Sequence, residues 1–304
     1  MKKRAIDIAL AKQRANIAAK KDEIKSNTAH ILSIPEIKSA HEKYVDATFK
    51  NALGGFDKQE KAAKDAYIAT LAKHGYKESD MTYTPTCPIC GDTGNANGRL
   101  CKCVWNEYIA ALKAITEIEK RAPFTFANAN FDIVKDEAQR DNLKKIYAYF
   151  KAFADKVPNV KTKNVVLFGG IGTGKTCLAS AIAREVVERG KSVKMVSAYE
   201  FNSSMLETHT SPISERNARL KDYLTADLLV IDDLGTEPML KNVTVEYLLL
   251  VLEERQNKGL TTIITTNFSP ARLLNKYGER IYSRLSNKNC SRILEISGKD
   301  LRIN

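Results

Sequence analysis

No apolar run in this 304-residue chain reaches the ~18 positions that a membrane-spanning helix requires, which excludes an integral helical membrane protein. The start, Met1-Lys2-Lys3-Arg4, is basic, but no apolar segment follows it. A secretory leader is therefore not expected, and the expected location is the cytoplasm. Cysteine is scarce. Only six occur, four of them between positions 87 and 103, so a disulfide-stapled fold is not expected. No internal repeat or low-complexity tract is visible. Negative charge is outweighed: 48 Lys and Arg face 36 Asp and Glu, for a net +12. That balance favours nucleic acid or an acidic protein as partner. Lys2, Lys3, Arg4, Lys12, Arg14, Lys20 and Lys21 face only Asp7 in the first 21 positions, which makes the N-terminal arm strongly basic.

Against these absences stands one string, Gly169-Gly170-Ile171-Gly172-Thr173-Gly174-Lys175-Thr176. An apolar run (Val165 to Phe168) enters it and a helix-period run (Leu178, Ile182, Val186) leaves it. This is the strand–loop–helix context of a phosphate-binding P-loop. Residues Gly170 to Cys177 are expected to line the phosphates, with backbone N–H groups and a helix N-terminus facing negative charge. Lys175 is placed for the β- and γ-phosphates, and the Thr176 hydroxyl for Mg²⁺. Cys177 and Cys290 also read as small buried hydrophobes.

A second strand, Leu228 to Ile231, ends in Asp232 and Asp233. Asp232 is expected on Mg²⁺, and Asp233 beside the attacking water. A third strand, 261–266, ends in Asn267, an amide suited to the water or the γ-phosphate. Arg280 and Arg284 lie four apart on one helix face. Either could be an arginine finger offered to a neighbouring subunit, or part of a solvated basic face. Five strand candidates, 164–168, 193–197, 228–232, 261–266 and 292–296, alternate with helical patterns such as 244–257. That order predicts an α/β fold with a five-stranded parallel sheet covered on both faces. A helix carrying Leu143, Ile146, Tyr147, Phe150 and Phe153 precedes the first strand. After the fifth strand only a few residues follow, and no C-terminal lid is expected.

Cys87, Cys90, Cys101 and Cys103 follow C-x₂-C, ten residues, C-x-C. Four thiolates on two knuckles suit one tetrahedral Zn²⁺ in a closed structural site; an iron–sulfur cluster or a redox disulfide is the alternative. Upstream, helices are expected over 4–25, over 36–52 ending at Gly54-Gly55, and over 57–74. Ile6, Leu10, Ile17 and Ile24 form an apolar stripe that either packs internally or fills a partner's groove. Another helix is expected over 109–120, before a junction marked by Phe124, Phe126 and Phe131. The expected organisation is a helical partner-binding region (1–80), a four-cysteine zinc module (81–108), a linker (109–130) and an ATPase domain (131–304).

On these motifs the chain resembles the bacterial and phage replicative helicase loaders of the DnaC/DnaI type, within the AAA+ ATPases. The resemblance runs from about residue 126 onward. It rests on the P-loop, Leu229-Val230-Ile231-Asp232-Asp233-Leu234-Gly235, Thr265-Thr266-Asn267, the Gly278-Glu279-Arg280…Arg284-Leu285 segment and the ending Ser297 to Arg302. It implies an ATP/ADP- and Mg²⁺-dependent ATPase with a preceding zinc module. The hexameric replicative DNA helicase and single-stranded DNA would be its partners during replication initiation, with self-assembly through the ATP site. It assigns Asn267 to sensor 1 and Arg284, rather than Arg280, to the arginine finger. Asp233 falls where many AAA+ proteins have glutamate, which implies slow hydrolysis. Arg302 is a candidate substitute for the sensor 2 arginine. Tyr199, Phe201 and Lys221 are candidates for DNA contact by location. An insertion-sequence transposition helper has nearly the same core, and a zinc-bearing DNA-binding adaptor with structural ATP is the reading from another class.

Overall fold

The computed structural model describes residues 1–54 and 57–303. Gly55, expected to help end the second helix, lies outside the described residues. The chain divides into two compact units, one of Asp7–Glu107 and one of Tyr108–Asn304 together with Met1–Ile6.

The Asp7–Glu107 unit is built on three helices, α1 (Lys2–Leu32, shared at its start with the other unit), α2 (Pro35–Gly54) and α3 (Asp57–Lys73). Helix α1 outruns the expected 4–25 because nothing in the sequence breaks it before Ser33. Pro35 then opens α2, at the one helical position where a missing N–H is harmless. Leu10, Ile17 and Ile24 of the apolar stripe are half-buried. The unit's own later chain runs back along that helix, with Gln13 Nε2 donating to Asp92 O (2.9 Å) and Lys20 Nζ to Thr86 Oγ1 (3.1 Å). Ile31, Ile37, Tyr67 and Leu71 form the unit's buried cluster. Val45, Phe49 and Leu53, at successive i, i+4 positions on α2, stay 50–74 % exposed. A hairpin of β1 (Asn95–Ala96) and β2 (Arg99–Leu100) follows.

In the other unit, α4 (Trp105–Thr116, from Tyr108 onward) and α5 (Ile118–Arg121) replace the single helix expected over 109–120. Glu117, at φ +50, separates them. Next come α6 (Glu137–Ala154), β3 (Asn164–Phe168), α7 (Lys175–Glu188), β4 (Val193–Ser197), α8 (Ala198–Thr210), α9 (Ile213–Thr225), β5 (Leu228–Asp232), α10 (Thr244–Asn257), β6 (Thr261–Thr266), α11 (Pro270–Ser286) and β7 (Ser291–Glu295). The five strands are parallel in the order β4-β5-β6-β3-β7. β3 and β5 are near-continuously apolar and β6 is buried along its whole length, as burial on both faces requires, whereas β7 at the sheet edge is only partly buried. Val166, Val196, Leu229, Ile231 and Ile264 face one side, packed with apolar residues of α8, α10 and α11. Alternation turns Val165, Leu167, Val230 and Ile263 to the other side, and α7 contacts β4, β5 and β6. Because β3 lies between β6 and β7 while its chain continues to β4, the strand order reverses beside β3. That is where an open parallel sheet presents a crevice at its carboxyl end.

Candidate functional site

The crevice is occupied by the P-loop. Phe168 ends β3, and α7 begins at Lys175 with Gly174 as its N-cap at φ +95, a left-handed conformation that a side chain would strain. Gly172, at φ +73, has no space for a Cβ because the Asp300 carboxylate lies against it. Residues after β7 return to this loop: Ile296 N–H donates to Phe168 O (2.7 Å) and Leu301 N–H to Gly172 O (3.0 Å). The Lys175 ammonium is buried and donates to Gly169 O (3.0 Å) and Gly170 O (2.6 Å). Burial lowers its pKa, and the carboxylates of Asp233 and Asp232 partly oppose that shift.

The neighbouring strands deliver the acids. Asp232, the last residue of β5, accepts from Thr176 Oγ1 (3.0 and 3.2 Å to its two oxygens). It also accepts from Thr265 Oγ1 (2.6 Å), and that same hydroxyl accepts the Asp233 N–H (2.8 Å). One buried threonine on β6 thus sets both acids. Asp233 turns at φ +59, and its Oδ1 accepts from Asn267 Nδ2 (2.9 Å). Burial, then the adjacent charge of Asp232, raises the Asp233 pKa, while Lys175 acts against both. Thr176 and Asp232 together make an oxygen donor pair of the kind a hard divalent cation takes, so the residues present fit Mg²⁺.

These groups share a cavity of about 520 Å³ lined by Ile171 to Cys177, Asp232, Asp233, Thr265 and Asn267. Phe124, Ile133, Leu301 and Arg302 close its other walls. Sequence reasoning had singled out neither Thr265 nor Ile133 as site residues. Two threonines and an asparagine, Thr265-Thr266-Asn267, end this strand, and only the register identifies which hydroxyl meets Asp232. Cys177 lines the cavity and is half-buried, as is Cys290, so the expectation of two buried thiols is corrected. Phe201 is excluded as a DNA contact because it sits in the core, edge-on to Tyr223. Tyr199 is 62 % exposed, and Lys221 is exposed on α9.

Arg284 is not brought to this cavity. Its carbonyl accepts from Asn164 Nδ2 (3.3 Å) and Ser291 Oγ (2.8 Å), the first residues of β3 and β7. The P-loop leaves the opposite end of β3, about 13 Å further along at the usual strand rise. The Arg284 guanidinium instead donates to Glu253 Oε1 through Nε (3.2 Å) and Nη2 (2.8 Å).

In the other unit, the four sulfurs of Cys87, Cys90, Cys101 and Cys103 all lie within 4.8 Å of one another. Cys87–Cys101 and Cys90–Cys103 are separated by 3.8 and 3.5 Å. A tetrahedron with Zn–S of about 2.3 Å has edges of roughly 3.8 Å, so the donor set fits zinc. The Asp92 carboxylate holds the first knuckle, accepting from Tyr83 Oη (2.5 Å), Thr86 N–H (2.8 Å) and Cys87 N–H (2.7 Å). The Tyr83–Asp92 bond raises the tyrosine to about 12.

The model of the family described as IstB-like ATP binding protein matches residues 133–285. That span is just over half the chain, and it contains the P-loop, both acids, Asn267 and Arg284. The chain belongs to this ATP-binding family. Among curated relatives, it is 29 % identical to the replicative helicase loader DnaC of Escherichia coli (strain K12) over 154 residues, which is 50 % of this chain and 60 % of that protein. It is 34 % identical to the replicative helicase loader DnaI of Bacillus subtilis (strain 168) over 113 residues, covering 37 % of this chain and 36 % of the relative. A solved structure of DnaI is similar at a TM-score of 0.46 and 24 % identity, covering 60 % of this chain and 93 % of that one. The chain thus spans less than two thirds of the curated relatives it matches. No helix among the described residues is long and apolar enough to cross a membrane.

Proposed function

We propose that this protein is an ATPase that loads the hexameric replicative DNA helicase onto single-stranded DNA during replication initiation, in the cytoplasm. The observation that carries the reading is the convergence of Lys175, Thr176, Asp232, Asp233 and Asn267 on one cavity in a chain related to helicase loaders. In the ATP complex, Lys175 exchanges the Gly169 and Gly170 carbonyls for β- and γ-phosphate oxygens. Thr176 and Asp232 would hold Mg²⁺, which when bound would supply electrostatic stabilisation of the phosphoryl charge. Asp233 polarises the attacking water, with Asn267 orienting the carboxylate. Aspartate reaches less far than glutamate at this position, so turnover is slow and is raised by DNA or partner. Arg284, directed away from its own cavity, completes the site of an adjoining copy. Cys87, Cys90, Cys101 and Cys103 would hold Zn²⁺, which would cross-link the N-terminal unit, and the exposed Val45–Phe49–Leu53 face of α2 offers apolar area to the helicase.

The test is size-exclusion chromatography with the cognate replicative helicase, with and without ATP, followed by a loading assay on single-stranded DNA. A joint peak and ATP-dependent loading, abolished in Lys175→Ala, are expected. Loading by Lys175→Ala in the presence of ATP contradicts the mechanism. The family match also favours a second reading, a transposition helper. Retention of a transposase instead of helicase from host extract would select it. Turnover stimulated by single-stranded DNA and lost in Arg284→Ala excludes a DNA-binding adaptor with merely structural ATP.

A further inference from the structure

Arg284 is fixed twice over. Its backbone is tied to β3 and β7 through Asn164 and Ser291, with Ile281 and Leu285 of the same helix fully buried. Its side chain, 43 % exposed, is held on one edge only. Nε and Nη2 both donate to a single oxygen of Glu253, on α10. Arg280, one turn earlier, is exposed and has no ion pair among the described residues.

At 43 % and 35 % exposure the Arg284–Glu253 pair contributes little to stability. What it does supply is order. A free arginine side chain samples many rotamers, and docking it on a phosphoryl group costs part of that freedom. Holding Nε and Nη2 against Glu253 on α10 lowers that cost in advance and leaves Nη1 outside the pair. We infer that Glu253 is the positioning residue for Arg284, aiming the guanidinium at the nucleotide of an adjoining copy. This rests on the reading that Arg284 acts in trans.

Mixed-chain turnover separates the two claims. A Lys175→Ala chain has a dead site but an intact arginine; an Arg284→Ala chain has the reverse. Mixed together, they regain ATP turnover that neither shows alone if the arginine acts in trans, and absence of that gain overturns the trans reading itself. With the gain in hand, Glu253→Ala added to the Lys175→Ala chain is expected to lower the regained turnover about five- to ten-fold, the scale of a small misplacement of a catalytic group. The same change on the Arg284→Ala chain, which has no arginine to aim, is expected to shift it by less than about two-fold on the same reasoning. Glu253→Gln keeps an acceptor oxygen and is expected to restore most of the loss. Unchanged or increased turnover with Glu253→Ala on the arginine-bearing chain overturns the positioning role; an increase would mean that the carboxylate restrains Arg284. An equal loss from either chain would assign Glu253 a general structural role and also overturn it.

Discussion

A single buried hydroxyl decides the geometry of the acids. Thr265 donates to Asp232 and accepts from the Asp233 N–H, so Thr265→Val keeps the shape and removes both interactions. Hydrogen bonds to charged groups contribute about 1.5–3 kcal/mol, so turnover is expected to fall roughly ten-fold or more. The Mg²⁺ concentration for half-maximal rate should rise with it, and Thr265→Ser should recover most of both. Steady-state kinetics at varied Mg²⁺ measures this. At this scale the sequence was informative where one residue type does one job: the glycines, Lys175, Thr176 and the paired aspartates. It was silent on Thr265 because Thr261, Thr262, Thr265 and Thr266 are chemically alike, and strand register alone distinguishes them.

Among the elements, all five strands and α10 were legible from apolar period and turn residues. The break at Glu117 and the bend of α11 at Gly278 (φ +82) were not, because each is set by where the flanking segments must pack. Arg255 makes the same point. It closes an amphipathic pattern as an ordinary last-turn cation would, yet it is completely buried. Its guanidinium donates to Tyr223 O (2.7 Å), Ala226 O (2.9 Å), Thr261 O (2.5 Å) and Thr262 Oγ1 (3.0 Å), joining α9, α10 and β6. Burial lowers its pKa to about 9, with Asp227 opposing. Arg255→Leu strands those acceptors and is expected to cost about 3–5 kcal/mol. A urea midpoint within experimental error of the parent's would refute the interlock.

At the scale of the whole molecule, each unit has its own means of holding together. Among the described residues the Asp7–Glu107 unit has a small buried cluster and a four-cysteine set that fits zinc, whereas the nucleotide cavity is lined by residues 124–302. One zinc per chain is therefore expected by elemental analysis. Its removal by chelator should melt the N-terminal helices in circular dichroism while Mg²⁺–ATP affinity stays within about two-fold, as expected for independent sites. A parallel loss of nucleotide affinity would contradict that independence. The partner was the least legible feature. The exposed face of α2 shows that apolar area remains uncovered, but three aliphatic and aromatic side chains do not name what covers it.

The central claim is that the cavity ahead of α7 takes a magnesium-bound adenine nucleotide through Lys175. Isothermal titration of Mg²⁺–ATP into the intact protein tests it most directly. The account predicts one site per chain, weakened at least about ten-fold in Lys175→Ala, the loss of one charge-assisted contact. No heat of binding with folded wild-type protein, or equal affinity in the variant, would contradict it.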